Sequence, residues 1–176
     1  MNKENNNVLF REVQRFRQIW IWILVLLAPG ICLWAFVQQI ILGEPFGNNP
    51  ASDIVLIILC IVVGLGLPLL FLVLKLTTEV QSDGIYYKFT PFHRSFRRIE
   101  SESIAHHEVR TYRPIGEYGG WGIRYGPSGT AYNVSGNQGL QLYLSSGKNV
   151  LIGTQRPNEL SEAVERALKN KKKRHI

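Results

Sequence analysis

Two long apolar runs without a charged residue, 19–37 and 54–74, constrain the fold of this chain more than any other feature. Each run is about as long as the roughly 20 residues that a helix needs to cross about 30 Å of hydrocarbon. The first run contains Trp20, Trp22 and Trp34 and no small-residue cleavage site follows it, so we interpret it as a retained anchor rather than a signal peptide. The sequence predicts a transmembrane helical hairpin over 19–75, with helices at 19–42 and 54–75 and an external loop at 43–53.

The distribution of basic residues around these runs predicts their orientation. The loop 43–53 contains Glu44 and Asp53 but no Lys or Arg. Basic residues instead precede the first run and follow the second, at Lys3, Arg11, Arg15, Arg17, Lys75, Lys88, Arg94, Arg97 and Arg98. Because short loops rich in Lys and Arg stay on the cytoplasmic side, we expect a two-pass protein of the cell inner (plasma) membrane with both termini in the cytoplasm.

The net charge of +7 indicates an anionic partner. Much of this charge lies beside the apolar runs or in the polybasic tail 171–176, so we expect membrane lipids with anionic headgroups as the partner, and no nucleic acid. The predicted membrane-surface residues are Arg11, Arg15, Arg17, Arg94, Arg97, Arg98, Lys169, Lys171, Lys172, Lys173 and Arg174. For the tail, a disordered solubilising end is the open alternative.

Residues 1–18 are predicted to form a cytoplasmic segment at the membrane interface. Leu9, Val13, Phe16 and Trp20 recur at helical spacing, and charged or polar residues occupy the other faces. This pattern indicates an amphipathic helix that lies on the bilayer surface and leads into the first span. A basic flank without regular structure is the alternative.

Residues 76–170 show the alternation that is typical of β-strands. Ile85, Tyr87 and Phe89 alternate with other side chains after a turn at 82–84, and Gly and Ser separate several further short runs. We expect about seven antiparallel strands in a sandwich or a partly open barrel. From Pro157 onward, apolar residues return to helical spacing, which predicts a C-terminal α-helix whose apolar stripe caps the open end of the barrel.

The sequence contains no pattern that is typical of a catalytic site or a metal site. Cys32 and Cys60 lie inside the apolar runs, so the β region has no disulfide or thiolate metal site. His106 and His107 are neighbours on a predicted strand and point to opposite faces, which argues against a shared metal ion. No catalytic motif stands out at local spacing, and we expect neither catalysis nor a cofactor.

One loop of the β region is a candidate for binding a partner protein. Its aromatic and basic residues are Tyr112, Tyr118, Trp121 and Arg124, which would form a recognition edge. The alternative is that the aromatic residues belong to the core and that Arg124 makes a surface ion pair.

Three segments give the chain a resemblance to a known family. They are FREVQRFRQ at 10–18 with Trp20, GWGIR at 120–124, and the run that begins with YNVSG at 132–136 and ends with LIGTQRPNEL at 151–160. With these segments the chain resembles bacterial membrane proteins of unknown function that carry a bacterial pleckstrin-homology (PH) domain. The resemblance implies a PH-like barrel or sandwich of about seven strands with a C-terminal helix, and it supplies no catalytic residues.

Taken together, these patterns predict a non-enzymatic, membrane-anchored PH-like binding module. We expect a scaffold, assembly or regulatory factor for a membrane-associated protein partner, for anionic lipid, or for further copies of the chain in a homo-oligomer. One alternative is a small accessory subunit of a membrane transport complex. Another is a membrane enzyme whose site is assembled from residues far apart in the sequence.

Overall fold

The computed structural model describes residues 8–174, with side chains up to Lys169. The chain forms two compact units. The helical unit is Phe16–Leu74, and the β unit contains the described residues 8–15 and 75–174. The helical unit is therefore inserted between the first strand of the β unit and all of its other strands.

The helical unit contains two long helices. In the first, α1 (Ile19–Phe36) continues as a π-helical segment, Val37–Ile41, and in the second, α2 (Asp53–Leu59) continues through a π-helical segment, Cys60–Gly66, into α3 (Leu67–Val73). They comprise 23 and 21 residues, and both are long and apolar enough to cross a membrane. The prediction of two apolar helices separated by a polar loop is confirmed.

The two long helices of the helical unit contact each other through small residues. The thiol of Cys60 donates a hydrogen bond to the carbonyl oxygen of Cys32 at 3.3 Å. A Cβ atom added at Gly64, one turn after Cys60, would lie 3.9 Å from the Cβ atom of Cys32. Close approach of this kind is typical of helices that pack in lipid, where small side chains let the backbones come together.

The β unit contains nine described strands in two sheets. The strands are β1 (Phe10–Arg15), β2 (Lys75–Gln81), β3 (Gly84–Thr90), β4 (Arg97–Glu100), β5 (Ile104–Thr111), β6 (Gly122–Gly126), β7 (Gly129–Asn133), β8 (Gln138–Leu144) and β9 (Asn149–Gly153). The four-stranded sheet has the order β1-β2-β3-β4, and the five-stranded sheet has the order β5-β8-β9-β7-β6. All pairs are antiparallel except β7 with β9, which is parallel and departs from the all-antiparallel prediction.

The core of the β unit lies between its sheets and its C-terminal helix. Tyr87 of β3 contacts Tyr132 of β7 with ring centroids 4.5 Å apart, which joins the two sheets. The helix α5 (Pro157–Arg174) contacts strands of both sheets and buries Leu160, Val164 and Ala167. A C-terminal helix over this region is confirmed, and its backbone continues to Arg174 through residues that the sequence assigns to a tail.

The prediction of an amphipathic helix before the first span is wrong, because this segment is the edge strand β1. Phe10, Glu12 and Gln14 are buried, whereas Arg11, Val13 and Arg15 are exposed, so the side chains alternate with the period of a strand. Two of the buried residues are polar, and this obscures the alternation in the sequence. A strand also needs a partner, and here the partner β2 comes only after the helical unit in the sequence.

Candidate functional site

One end of the four-stranded sheet lies where β1 finishes and β2 begins. Arg15 and Lys75 are directly opposite each other in the register, and Lys75 is also opposite Thr90, the last residue of β3. The chain leaves the β unit after Arg15 and returns to it at Lys75. We call this the hairpin end of the sheet. The loop between β3 and β4, residues 91–96, starts at the same end.

The outer face of the sheet carries three uncompensated cations near its hairpin end. Arg15 and Lys75 share this face because they are opposite each other, and Lys88 is opposite Thr77, two residues along β2. Among the described residues, no carboxylate lies within ion-pair distance of any of the three. Like charges opposite each other in a sheet are destabilising unless something neutralises them. We call Arg15, Lys75 and Lys88 the basic cluster.

The other end of the same face is neutralised internally. Arg11 lies 3.3 Å from Glu79, and Arg98 lies 3.0 Å from Asp83 and also contacts Glu100. Charge is therefore separated along the sheet. Acidic and basic residues are paired at one end, whereas the basic residues of the hairpin end have no carboxylate partner in the part of the chain that the structure describes.

The loop 91–96 adds two exposed aromatic side chains to the hairpin end. Phe92 is 63 % exposed and Phe96 is 40 % exposed, and the exposed Arg94 lies between them in the sequence. Phe92 and Phe96 therefore place apolar surface beside the basic side chain of Arg94.

The buried side chain of His93 anchors this loop to the core of the β unit. It is only 6 % exposed, its ring contacts Tyr87 and Tyr132, and its Nδ1 accepts a hydrogen bond from the Phe89 amide at 3.2 Å. The backbone amide of His93 donates in return to the Phe89 carbonyl at 2.8 Å. Burial lowers the pKa of His93, and the positive charge of Arg97 lowers it further. A neutral imidazole is the form that can accept at Nδ1.

The sequence-predicted membrane-surface residues do not act as one set. Arg15 belongs to the basic cluster and Arg94 to the adjacent loop, whereas Arg11, Arg98 and Lys169 form ion pairs with carboxylates. Arg97 is exposed at the start of β4, and Arg17 lies in the helical unit. Sequence reasoning did not assign Lys75, Lys88, Phe92 and Phe96 to a site, because only the strand register brings them to one end. The side chains of Lys171, Lys172, Lys173 and Arg174 lie outside the described residues.

The predicted partner-binding residues are divided by burial. Tyr112 and Tyr118 are 2 % and 4 % exposed, with ring centroids 5.9 Å apart, and Asn133 donates a hydrogen bond to the Tyr112 hydroxyl at 2.9 Å. Burial raises the pKa of Tyr112 to about 12. These two residues belong to the core and cannot form a recognition edge, which corrects that part of the prediction.

Trp121 and Arg124 remain near the surface. Trp121 is half-buried and its indole donates to the Gly136 carbonyl at 3.0 Å. The Nε of the exposed Arg124 donates to the Trp121 carbonyl at 2.9 Å. They stay candidates for contacting a partner protein, beside the exposed Tyr125 on the edge strand β6.

A buried polar junction, which sequence reasoning missed, attaches β1 to the end of β9. The carboxylate of Glu12 accepts hydrogen bonds from the Thr154 hydroxyl at 2.6 Å and from the Gln155 amide at 2.9 Å. Gln14 donates to the Gly153 carbonyl at 2.7 Å. The sequence carries no local signal for this junction, because the inward positions of β1 include the polar residues Glu12 and Gln14.

The described residues, 8–174, contain no group of three or more His, Cys, Asp or Glu side chains that could hold a metal ion. His106 stacks on Tyr143 with centroids 5.6 Å apart, and the Tyr143 hydroxyl donates to Glu108 at 2.6 Å. The register places His106 opposite Tyr143 and His107 opposite Leu142, so the two histidines face opposite sides of the sheet. The absence of catalysis and of a cofactor stays a prediction.

A family model described as a family of unknown function, DUF6141, matches residues 1–170. The chain belongs to DUF6141. The matched range includes both the helical unit and most of the β unit. Comparison with curated proteins gave no significant match, and comparison with solved structures gave none either.

Proposed function

We propose that this DUF6141 chain is a two-span inner-membrane protein that presents a non-enzymatic, PH-like binding module on the cytoplasmic side. The module acts as a scaffold, assembly or regulatory factor at the membrane surface. The observation that carries the proposal is the insertion of the helical unit between two paired strands, β1 and β2.

The pairing of β1 with β2 supports a common side for both ends of the hairpin. The two strands pair from Phe10 opposite Val80 to Arg15 opposite Lys75. Backbone hydrogen bonds between two strands require both strands on one side of a bilayer, and two crossings return the chain to the side where it started. Loop 43–53 lacks Lys and Arg, so the positive-inside rule assigns the β unit to the cytoplasm.

The surface of the helical unit supports a location in lipid. Large apolar side chains are exposed along both long helices, among them Ile19, Leu33, Ile54 and Leu65. Water-soluble monomers rarely expose so much contiguous apolar surface, whereas hydrocarbon solvates it at no cost.

The order of elements in the β unit supports the PH-like assignment. An antiparallel four-stranded sheet comes first, a second sheet follows, and a C-terminal helix contacts strands of both. The nine described strands and the parallel pair of β7 with β9 depart from the expected arrangement of about seven antiparallel strands. A fold of this kind is a platform for many ligands and does not assign one by itself.

A second candidate function is an accessory subunit of a membrane transport complex. A groove on the first long helix, lined by residues such as Gly30, Leu33, Trp34 and Gln38, favours this candidate. The amide of Gln38 accepts from the Trp34 indole at 3.0 Å and donates to the Pro45 carbonyl at 3.3 Å. In lipid, polar side chains of this kind can form hydrogen bonds between helices.

Site-specific photo-crosslinking in intact cells tests both candidates. The photoreactive residue is placed at Tyr125, on the edge strand β6, or at Leu33, in the groove, with the turn residue Ser146 as the matched control. An adduct at Tyr125 with a membrane-associated protein supports the scaffold. A stoichiometric adduct at Leu33 with a multispan protein supports the transport subunit. If neither position gives an adduct above that at Ser146, the proposal of a protein-binding module fails.

A further inference from the structure

We infer that the hairpin end of the four-stranded sheet is a docking surface for an anionic bilayer. The basic cluster of Arg15, Lys75 and Lys88 binds lipid phosphates, and Phe92 and Phe96 enter the boundary between headgroups and acyl chains. The inference rests on the proposed function, because it requires the helical unit to be anchored in the membrane.

Charge complementarity is the first argument. Arg15 and Lys75 are opposite each other, Lys88 is their neighbour on the next strand, and none has a carboxylate partner among the described residues. The sheet supplies such partners to Arg11 and Arg98 at its other end. An anion bound at the basic cluster would offset the repulsion between its members. Lipid phosphates on an anionic leaflet are such anions.

The position of the cluster along the chain is the second argument, and it selects a bilayer as the occupant. Arg15 immediately precedes Phe16, the first residue of the helical unit, and Lys75 immediately follows Leu74, its last residue. Lys75 is two residues after Val73, the last residue of α3, and two residues of extended chain span at most about 7 Å, which is less than the Debye length of about 8 Å at physiological salt. Arg15 lies beside Lys75 because the two residues are opposite each other in the register. When the long helices span a bilayer, these charges lie within electrostatic reach of its headgroups. An acidic protein or free phosphate has no comparable reason to meet the chain at this position.

The aromatic loop is the third argument. Phe92 and Phe96 are exposed although aromatic side chains of this size are strongly stabilised by burial. They lie in the loop that starts at the hairpin end, and the buried His93 fixes the conformation of that loop through its two hydrogen bonds with Phe89. Aromatic groups that sit beside cations on a preformed loop match the interface of an anionic membrane, where apolar groups enter and basic groups stay at the phosphates.

The test measures, by fluorescence in the full chain, whether loop 91–96 lies in water or in the membrane interface. In a Cys32→Ala, Cys60→Ala background, Ser95→Cys gives one thiol in loop 91–96 for an environment-sensitive fluorophore. The protein is reconstituted in nanodiscs of phosphatidylcholine, with or without roughly a quarter of phosphatidylglycerol. We expect about a twofold higher, blue-shifted emission in the anionic discs, and its loss near 0.5 M salt, where the Debye length is only about 4 Å.

Two variants and one matched control distinguish the contribution of the basic cluster from that of the two aromatic side chains. R15Q/K75Q/K88Q removes the basic cluster and is expected to abolish the difference between anionic and neutral discs. F92S/F96S keeps the charges and is expected to remove the blue shift in the anionic discs. R11Q/R98Q changes ion-paired basic residues of the same outer face and should leave the difference unchanged. Near-ultraviolet circular dichroism of each variant identifies any loss of folding, and the second variant keeps the test decisive if the first one unfolds.

The outcomes distinguish this inference from the proposed function. Equal emission in anionic and neutral discs overturns the docking surface, even if the chain still resists alkaline extraction and so remains an integral membrane protein. Reproduction of the signal in neutral discs by millimolar inorganic phosphate also overturns it, because the site would then bind a free anion. Release of the whole chain by alkaline extraction would instead refute the membrane anchor and, with it, the proposed function.

Discussion

At the scale of single residues, the protonation of His93 affects the conformation of loop 91–96, because the neutral ring accepts a hydrogen bond from the Phe89 amide. Burial and the nearby Arg97 lower the pKa of His93, so the folded β unit favours the neutral ring. In the unfolded chain, the imidazole of His93 has the ordinary histidine pKa of about 6.5. The contribution of the neutral His93 ring to the free energy of unfolding is therefore fully present above about pH 6.5. This contribution is lost as the pH falls from there toward the lower pKa of His93 in the folded state.

We expect the free energy of unfolding of the β unit to decrease between about pH 7 and pH 5, the range in which histidine charges. His93→Asn keeps an acceptor for the Phe89 amide but does not titrate, so it should flatten this dependence. Some dependence should remain, because burial also lowers the pKa of His107. Hydrogen exchange at Phe89 in the full chain measures the effect. The exposed His106→Asn is the control, and an identical pH dependence in H93N and the wild type would contradict the prediction.

At the scale of elements, β1 depends on contacts with a distant part of the chain. Glu12 is 7 % exposed, and both of its donors come from the junction between β9 and α5. A buried carboxylate with two donors contributes to stability chiefly because its removal leaves those donors without a partner. The side chain of the neighbouring Arg11 is 65 % exposed where it pairs with Glu79, and ion pairs at the surface contribute little.

Glu12→Ala should therefore lower the free energy of unfolding by about 2–3 kcal/mol, since it orphans a hydroxyl and an amide. Arg11→Ala, one residue away on the same strand, should lower it by less than about 1 kcal/mol. Chemical unfolding of the full chain in detergent, followed by near-ultraviolet circular dichroism, gives both values. Equal losses in the two variants would mean that the junction does not hold β1 in place.

The predictability of each element follows from how local its stabilising contacts are. The helix α5 has its apolar stripe and the pairs Glu162 with Arg166 and Glu165 with Lys169 within one or two turns, so its sequence predicts it. The strand β1 has no such local support. Its pattern fits a helix about as well as a strand, and its partner strand begins only after the helical unit.

The predicted functional residues divide in the same way. Basic residues beside the apolar runs were found from composition and position alone. The joining of Arg15 with Lys75 and Lys88, and the burial of Tyr112 and Tyr118, depend on strand register and on core packing. The sequence shows the aromatic residues of loop 111–121, but it does not indicate which of their side chains are buried in the core.

At the scale of the whole molecule, the inserted hairpin makes the orientation of the chain testable. We expect a reporter fused after Phe46 to be periplasmic and a reporter fused after Ile176 to be cytoplasmic, because loop 43–53 lacks Lys and Arg whereas both flanks are basic. Alkaline phosphatase and green fluorescent protein report the two sides in complementary ways. Asn48→Arg with Asn49→Arg, which adds charge to the loop, should reduce the fraction in this orientation. A cytoplasmic reporter after Phe46 in the unmodified chain would refute the assignment.

The sequence by itself determined the two apolar helices, the polar loop between them, the β region and the C-terminal helix, because each is encoded by neighbours within a few turns or a few alternating residues. The tertiary structure decided that residues 10–15 form a strand, that Glu12 has its donors near residue 154, and that three cations meet at one end of a sheet. These features require contacts between residues separated by the helical unit or by most of the chain. A local pattern carries no information about such partners.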